Sequence, residues 1–175
     1  SYLELKNGIM NIQFFYENGE FYAYDPGFRL QGEGIHIHLN SEHGIDHRLM
    51  LSEFALNGEV SEKYKSLREK FVSSKKFCLT HWVLLKSGKI SDIKGISEIK
   101  KLGSFADIVQ RLYVEDEIGI ESMGTEKQVF ARIYLQNDDF QNLIKDSAYI
   151  KKILQVNAVN ESLIYDQLDI EEMKL

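Results

Sequence analysis

The sequence has 175 residues, 43% of them hydrophobic and 27% charged, which is ordinary for a globular protein that buries a core. The formal net charge of −6 argues against nucleic acid or an anionic membrane as a partner, because both need clustered Lys and Arg. The single cysteine, Cys78, excludes an internal disulfide, and no apolar run approaches the roughly 18 residues of a membrane span. We therefore expect a cytoplasmic protein.

The chain begins at Ser1 without Met, in a segment predicted to be the last turns of a helix that ends at Asn7-Gly8. This start predicts a piece of a larger protein. A β-hairpin is predicted next, with strands over residues 11–16 and 20–25. Asn18-Gly19 between two such runs is the strongest short hairpin signal that a sequence offers.

The hairpin displays an acid, Asp25, and then an arginine, Arg29. A two-residue loop would pair Gln13 with Tyr24 and leave Asp25 on the opposite face. We predict instead a three-residue loop over residues 17–19, which pairs Gln13 with Ala23 and puts Asp25 diagonally on the same face. The hairpin aromatics are predicted to lie in the core and in cross-strand pairs: Phe14, Phe15, Tyr16, Phe21, Tyr22 and Tyr24.

Alternating Ile and His over residues 35–39 predict a strand. Ser41 is a plausible cap for a following helix that stops at Asn57-Gly58. The charged residues 60–74 are predicted to be a helix or a linker. These patterns divide the chain into residues 1–58, a helical linker over 59–75 and a second part over 76–175.

The second part is predicted to contain strands over residues 77–85, 90–93, 105–114 and 128–135, with a short helix around 96–102. A helix capped by Asn137 or Asp138 follows, then a short strand within 156–165 and an acidic, helical tail. Cys78 is predicted to be buried. Mixed helices and locally paired strands predict an α+β fold, with an antiparallel-rich sheet and flanking helices.

The segment from Ile12 to Arg29 resembles the C-terminal metal-binding hairpin of the ATP-grasp superfamily. In that pattern a strand with Glu or Gln, a turn and a second strand lead into Glu-x-Asn-x-Arg. The resemblance covers residues 8–58 and is strongest to members like biotin carboxylase and the large subunit of carbamoyl-phosphate synthetase. It implies the C-terminal portion of an ATP-dependent ligase, which phosphorylates a carboxylate to an acyl phosphate that an amine or another nucleophile attacks.

The resemblance also assigns roles by position. Gln13 takes the first metal-ligand position, Asp25 that of the bridging metal carboxylate, and Arg29 that of the arginine that neutralises the transferring phosphate. The implied cofactors are Mg²⁺ and ATP, with Gln13 and Arg29 contacting the bound nucleotide complex. Mg²⁺ does prefer oxygen ligands with one or two carboxylates, and Arg matches phosphate geometry.

The sequence departs from the family pattern at three positions: Asp25 is a shorter acid, Gln13 is neutral, and Gly27 stands where the family has a metal-binding Asn. One ligand is therefore missing. No Gly-rich phosphate loop occurs, and the family's nucleotide-holding segments lie before the hairpin. We expect the chain to need the N-terminal lobes of the same protein as partners and to be inactive alone, with small carboxylate and amine substrates.

Four histidines lie within twelve residues: His36, His38, His43 and His47. On a strand the first two would share a face, and the last two have i, i+4 spacing, so both pairs have spacings that suit Zn²⁺ or Ni²⁺. This leaves an alternative of a different class. The chain is then a non-catalytic ATP-grasp-derived binding module with a histidine-based metal site.

Overall fold

The computed structural model describes residues 8–65 and 76–165. The chain divides into two compact units, Ser1–Ser73 and Ser74–Leu175, called below the N-terminal and C-terminal units. Antiparallel strands and helices are mixed along the chain, which confirms the predicted α+β class. The boundaries at residues 58 and 75 stay a prediction, and the predicted N-terminal helix, most of the linker and the acidic tail lie outside the described residues.

In the described part of the N-terminal unit, residues 8–65, a hairpin is followed by three helices. Its elements are β1 (Asn11–Glu17), β2 (Glu20–Gly27), α1 (Ile35–His43), α2 (His47–Asn57) and α3 (Glu62–Lys65). Ile45 and Tyr64 form the buried centre of this unit, and Leu39, Met50 and Val60 pack against them.

The predicted strand over residues 35–39 is wrong, because these residues open helix α1. Glycines with positive φ, Gly34 at 74° and Gly44 at 67°, bound the helix at its two ends. An alternation over five residues is too short to distinguish the period of a strand from that of a helix. The packing of Leu39 against Ile45 and Tyr64 favours the helix.

Helix α2 begins later than predicted, since Ser41 lies inside α1. Its N-cap is Asp46, whose carboxylate accepts a hydrogen bond from the Arg48 backbone N–H at 2.9 Å. The helix ends before Gly58, which has a φ of 76°, as the Asn57-Gly58 signal predicts.

The C-terminal unit is built around a three-stranded antiparallel sheet in the order β3-β8-β6. Its elements are β3 (Phe77–Leu84), β4 (Gly88–Lys89), β5 (Asp92–Lys94), α4 (Ile96–Ile99), β6 (Phe105–Gln110), β7 (Glu117–Ile118), β8 (Val129–Asn137), α5 (Phe140–Ile153) and β9 (Gln155–Asn157). Its described residues also form two short antiparallel pairs, β4-β7 and β5-β9.

Strand β8 is the centre of this unit, with eight of its nine residues buried. Helix α5 contributes Leu143 and Ile150 to the same core as Ile133 and Leu135 on β8. Strand β3 has its predicted position. Within the described ranges, no helix is both long enough and apolar enough to cross a membrane.

Several predicted details of the C-terminal unit are wrong. The strand over residues 90–93 is replaced by β4 and β5, which pair with different partners, while Ile90 between them is buried in the core. Strand β6 ends at Gln110. The cap of α5 is Asp139, which accepts from the Gln141 N–H at 2.8 Å. Cys78 is exposed, because it lies near the start of β3.

Candidate functional site

The candidate site is the hairpin β1–β2, and its turn differs from the prediction. Glu17 pairs with Glu20, so the loop has two residues, Asn18 and Gly19, and the predicted three-residue loop is wrong. Their φ angles are 51° and 86°, and positive φ at both central positions characterises a type I′ turn. Asn and Gly are the residues that adopt this turn at least cost, which explains why the local sequence selects it.

A bulge further along the hairpin shifts the register. Phe14 pairs with Ala23, whereas Gln13 pairs with Asp25, so Tyr24 is an extra residue on β2. The predicted pairing of Gln13 with Ala23 is therefore wrong. Gln13 and Asp25 are nevertheless brought together, as direct cross-strand partners rather than as diagonal neighbours. Directly opposed residues have Cβ atoms about 5 Å apart.

Tyr24, the residue of the bulge, fixes the Gln13 side chain. Its hydroxyl donates to Gln13 Oε1 at 2.6 Å. Its ring stacks on Phe15 at a centroid distance of 4.6 Å and an interplanar angle of 24°. The sequence analysis gave Tyr24 no part in the site. Only a predicted bulge could have pointed to it, and the residue types here contain no such signal.

The acid and the arginine flank Gly27 at the end of β2. Alternate residues of a strand share a face, so Asp25 and Gly27 lie on the same side. A Cβ atom added to Gly27 would lie 3.6 Å from both Cγ and Nε of Arg29, so the arginine side chain runs over this position. Asp25 is exposed, and within the described part of the chain its carboxylate has no hydrogen bond or ion pair. Arg29 donates to the Leu30 carbonyl at 3.1 Å.

Phe28 holds the two open ends of the hairpin together. Its ring occupies the space that a side chain at Gly8 would need, and Gly8 has a φ of 148°. Gly8, three residues before the start of β1, thereby packs against the segment between Asp25 and Arg29. This contact limits the freedom of the loop on which the arginine lies.

The hairpin's aromatic side chains pair across the strands but are not core residues of the N-terminal unit, which corrects the prediction of core packing. Phe14 and Phe21 contact edge to face at 4.8 Å, and Tyr16 lies 4.9 Å from Phe21. The exposed fractions range from 51% for Tyr22 to 67% for Phe21. Both strands are exposed on both faces, and the small core of the N-terminal unit includes no hairpin residue among those that the structure describes.

The histidines do not form the predicted pairs. His36 and His38 are two residues apart on helix α1, which separates them by about 200° around its axis. His43 ends α1 and His47 begins α2, so they do not share a helix. His36 and His47 are in ring contact at 5.8 Å. Among the residues that the structure describes, no group of three or more His, Cys, Asp or Glu side chains could hold a metal ion.

Burial explains the electrostatics of two of these rings. It lowers the pKa of His38, which is 8% exposed, and it is the main cause of the lowered pKa of His47. Asp46 is held well below its usual pKa by its hydrogen bonds and charge interaction with Arg48. This carboxylate therefore belongs to the cap of α2 and to an ion pair of 2.6 Å with Arg48.

The donors at the hairpin suit one kind of metal site. One carboxylate and one amide oxygen are too few for an all-protein cage, but Mg²⁺ commonly takes one or two protein ligands and completes its shell with phosphate and water. The exposed, unpaired carboxylate of Asp25 and the oriented amide of Gln13 fit that requirement. Gly27 has no side chain to add a ligand, and among the described residues no group of three or more His, Cys, Asp or Glu forms a metal site.

Comparison with known proteins gives a likeness of fold. No family model matches the sequence, and no curated protein matches it significantly. An L-amino acid ligase from Bacillus licheniformis superposes with a TM-score of 0.65 at 16% identity, over 87% of this chain and 36% of the ligase. A phosphoribosylglycinamide synthetase from Anaerococcus prevotii gives a TM-score of 0.66 at 16% identity, over 85% of this chain and 36% of that protein. The chain thus spans about a third of each.

Proposed function

Since this chain has the fold of a C-terminal portion of the ATP-grasp enzymes, we propose that its hairpin is half of the magnesium–phosphate site of an ATP-dependent ligase. The single observation that supports this most is the pairing of Gln13 with Asp25 at the bulge. It brings an amide oxygen and a carboxylate to one place on a strand pair, where the sequence resemblance expects metal ligands.

The reaction would join a carboxylate to an amine. A carboxylate oxygen attacks the γ-phosphorus of ATP, the bond from that phosphorus to the bridging oxygen breaks, and ADP leaves with the electron pair. The amine then attacks the acyl carbon, inorganic phosphate departs, and the amine nitrogen loses a proton. Such transfers depend on positioning and on charge neutralisation rather than on covalent chemistry by the protein.

In this proposal Asp25 is the principal metal ligand and Gln13 is a second, neutral one. Bound Mg²⁺ would neutralise phosphate charge. The Tyr24 hydroxyl uses one lone pair of Gln13 Oε1 and leaves the other for a ligand. Tyr24 therefore acts as a positioning residue, because its bond holds the amide oxygen toward β2 instead of letting the side chain rotate.

Arg29 would neutralise the transferring phosphate. A guanidinium matches phosphate oxygens with two parallel N–H donors, which an ammonium cannot do. The contact of its side chain with the Gly27 position keeps it on the side of β2 that Asp25 also faces. Its hydrogen bond to the Leu30 carbonyl is an exposed one that a phosphate can replace.

The nucleotide-binding part is proposed to come from lobes of the same protein outside this chain, as the 36% coverage of both enzymes suggests. The uncovered aromatic faces of the hairpin are consistent with that. The histidine-based alternative is not favoured, because only His36 and His47 are in ring contact and the described residues contain no group of three or more His, Cys, Asp or Glu that could hold a metal ion.

Hydroxylamine trapping tests the proposed reaction. The full-length protein that contains this chain is incubated with Mg²⁺, ATP, hydroxylamine and a panel of carboxylates, and acyl hydroxamate is measured. We expect hydroxamate with at least one carboxylate and its loss in Arg29→Ala by about 1,000-fold. Hydroxamate formation at an unchanged rate in Arg29→Ala would remove the arginine from the mechanism.

A further inference from the structure

A cavity of about 380 Å³ lies in the C-terminal unit, between strand β3, helix α5 and the segment after β9. Its size falls in the range of small-molecule sites. The apolar part of its wall includes Val83, Ile150 and Leu154, and these residues are 2%, 0% and 5% exposed. The cavity is therefore backed by the rigid core of the unit rather than by loops alone.

The polar part of the wall includes a buried histidine. His81 is 7% exposed, and its Nδ1 lies 3.1 Å from Oγ of Ser147, which is itself 1% exposed. The serine hydroxyl can donate to Nδ1, and the ring proton then resides on Nε2. Within the described residues this is the only hydrogen bond of the ring, so Nε2 is the nitrogen that remains for a ligand.

The polar wall also contains two lysines, together with Ser162 and Tyr165. Lys86 follows β3 and Lys151 lies near the end of α5, and both line the cavity. Burial, and in second place the positive charge of Lys151, lowers the pKa of His81 to about 4. The imidazole is therefore neutral at pH 7, where it can donate one hydrogen bond without adding a charge.

We propose that this cavity binds a small carboxylic acid, with its carboxylate at Lys86, Lys151 and Nε2 of His81 and its apolar body against Val83, Ile150 and Leu154. The cavity has one cationic side and one apolar side, and this division is what an amphipathic carboxylate needs. Inorganic phosphate lacks the apolar body. The site is independent of the hairpin's proposed role, because none of its residues belongs to the N-terminal unit.

The test titrates the 175-residue chain with hydrocinnamate and follows the backbone amide resonances of Ser147, Ile150 and Leu154 by NMR. Hydrocinnamamide is the matched probe without charge, and inorganic phosphate is the probe without an apolar body. We expect saturable shifts with hydrocinnamate and binding weaker by about tenfold for the amide, the size of one or two solvated charge contacts. Binding should also raise the pKa of His81, since an anion then faces the ring.

The variants separate a built site from general charge effects. Lys86→Gln combined with Lys151→Gln should weaken hydrocinnamate binding by about tenfold, because both cations are removed. Lys152→Gln, on the same helix but not lining the cavity, should change nothing. The proposal is wrong if hydrocinnamate gives no saturable shift, if the amide or phosphate binds as well as the acid, or if Lys152→Gln weakens binding as much as the double variant.

Discussion

Substitutions at Gly27 test both the backbone geometry of the hairpin and the proposed position of the metal. Its φ is not in the positive region, and a Cβ atom there would meet Arg29 at 3.6 Å and the Asn11 carbonyl at 4.0 Å, which are ordinary contacts. Gly27→Asn and Gly27→Ala should therefore both fold. Both should raise the free energy of unfolding by about 0.5 kcal/mol, because the unfolded chain loses freedom that only glycine has.

Only the asparagine adds an oxygen on the face of Asp25. Exchanging one water for one neutral protein oxygen at an exposed site contributes about 1 kcal/mol, which is roughly a fivefold gain in Mg²⁺ affinity. Isothermal titration of Mg²⁺ into the full-length protein with ATP present measures the gain. Equal affinities for Gly27→Asn and Gly27→Ala would refute the placement of Gly27 beside the metal.

Three further changes probe the described geometry. Tyr24→Phe removes the 2.6 Å hydrogen bond to Gln13 but keeps the stack on Phe15. Mg²⁺ affinity should therefore fall by roughly threefold to tenfold, while the melting temperature should change by no more than about 2 °C. A lower melting temperature with unchanged Mg²⁺ affinity would show that Tyr24 has only a structural role. Gly8→Ala should destabilise the hairpin by about 1 kcal/mol or more, because the Phe28 ring fills the space of the added methyl group and the φ of Gly8 is 148°. Hydrogen exchange of the β1 amides measures this loss, and unchanged exchange would contradict the packing of Phe28 on Gly8. The free energy of unfolding should fall as the pH drops from about 6.5 toward 4, because His81 takes up a proton in the unfolded chain but stays neutral when buried in the folded one. In His81→Gln the free energy of unfolding should depend less on pH over this range. The same pH dependence in the parent and the variant would show that His81 is not buried in its neutral form.

The sequence predicts the hairpin but not its register. Asn18-Gly19 specifies a type I′ turn locally, so the existence and position of the hairpin follow from two residues. The bulge at Tyr24 depends on backbone pairing across both strands, and nothing in the residue types there announces it. The sequence therefore places Gln13 and Asp25 on one face from a wrong register, and their direct pairing is not predicted.

The errors elsewhere have a similar cause. The alternation of Ile and His over residues 35–39 is typical of a strand. Leu39 nevertheless packs on the small core from a helix, and the helix places His36 and His38 on different sides. The contact of His81 with Ser147 joins residues that are 66 positions apart. Local patterns carry no information on such contacts, so the cavity of the C-terminal unit is visible only in three dimensions.

The central proposal is that Asp25 binds the metal, and the effect of this residue on metal affinity can be measured directly. Mn²⁺ replaces Mg²⁺, and the Mn²⁺ bound to the full-length protein with ATP is determined by electron paramagnetic resonance for the parent, Asp25→Asn and Glu20→Gln. Glu20 is an exposed acid at the turn end of the same hairpin, so its variant matches the change in charge. We expect Asp25→Asn to weaken Mn²⁺ binding by at least about tenfold and Glu20→Gln to leave it unchanged. Equal binding by all three proteins would contradict a metal site at this hairpin.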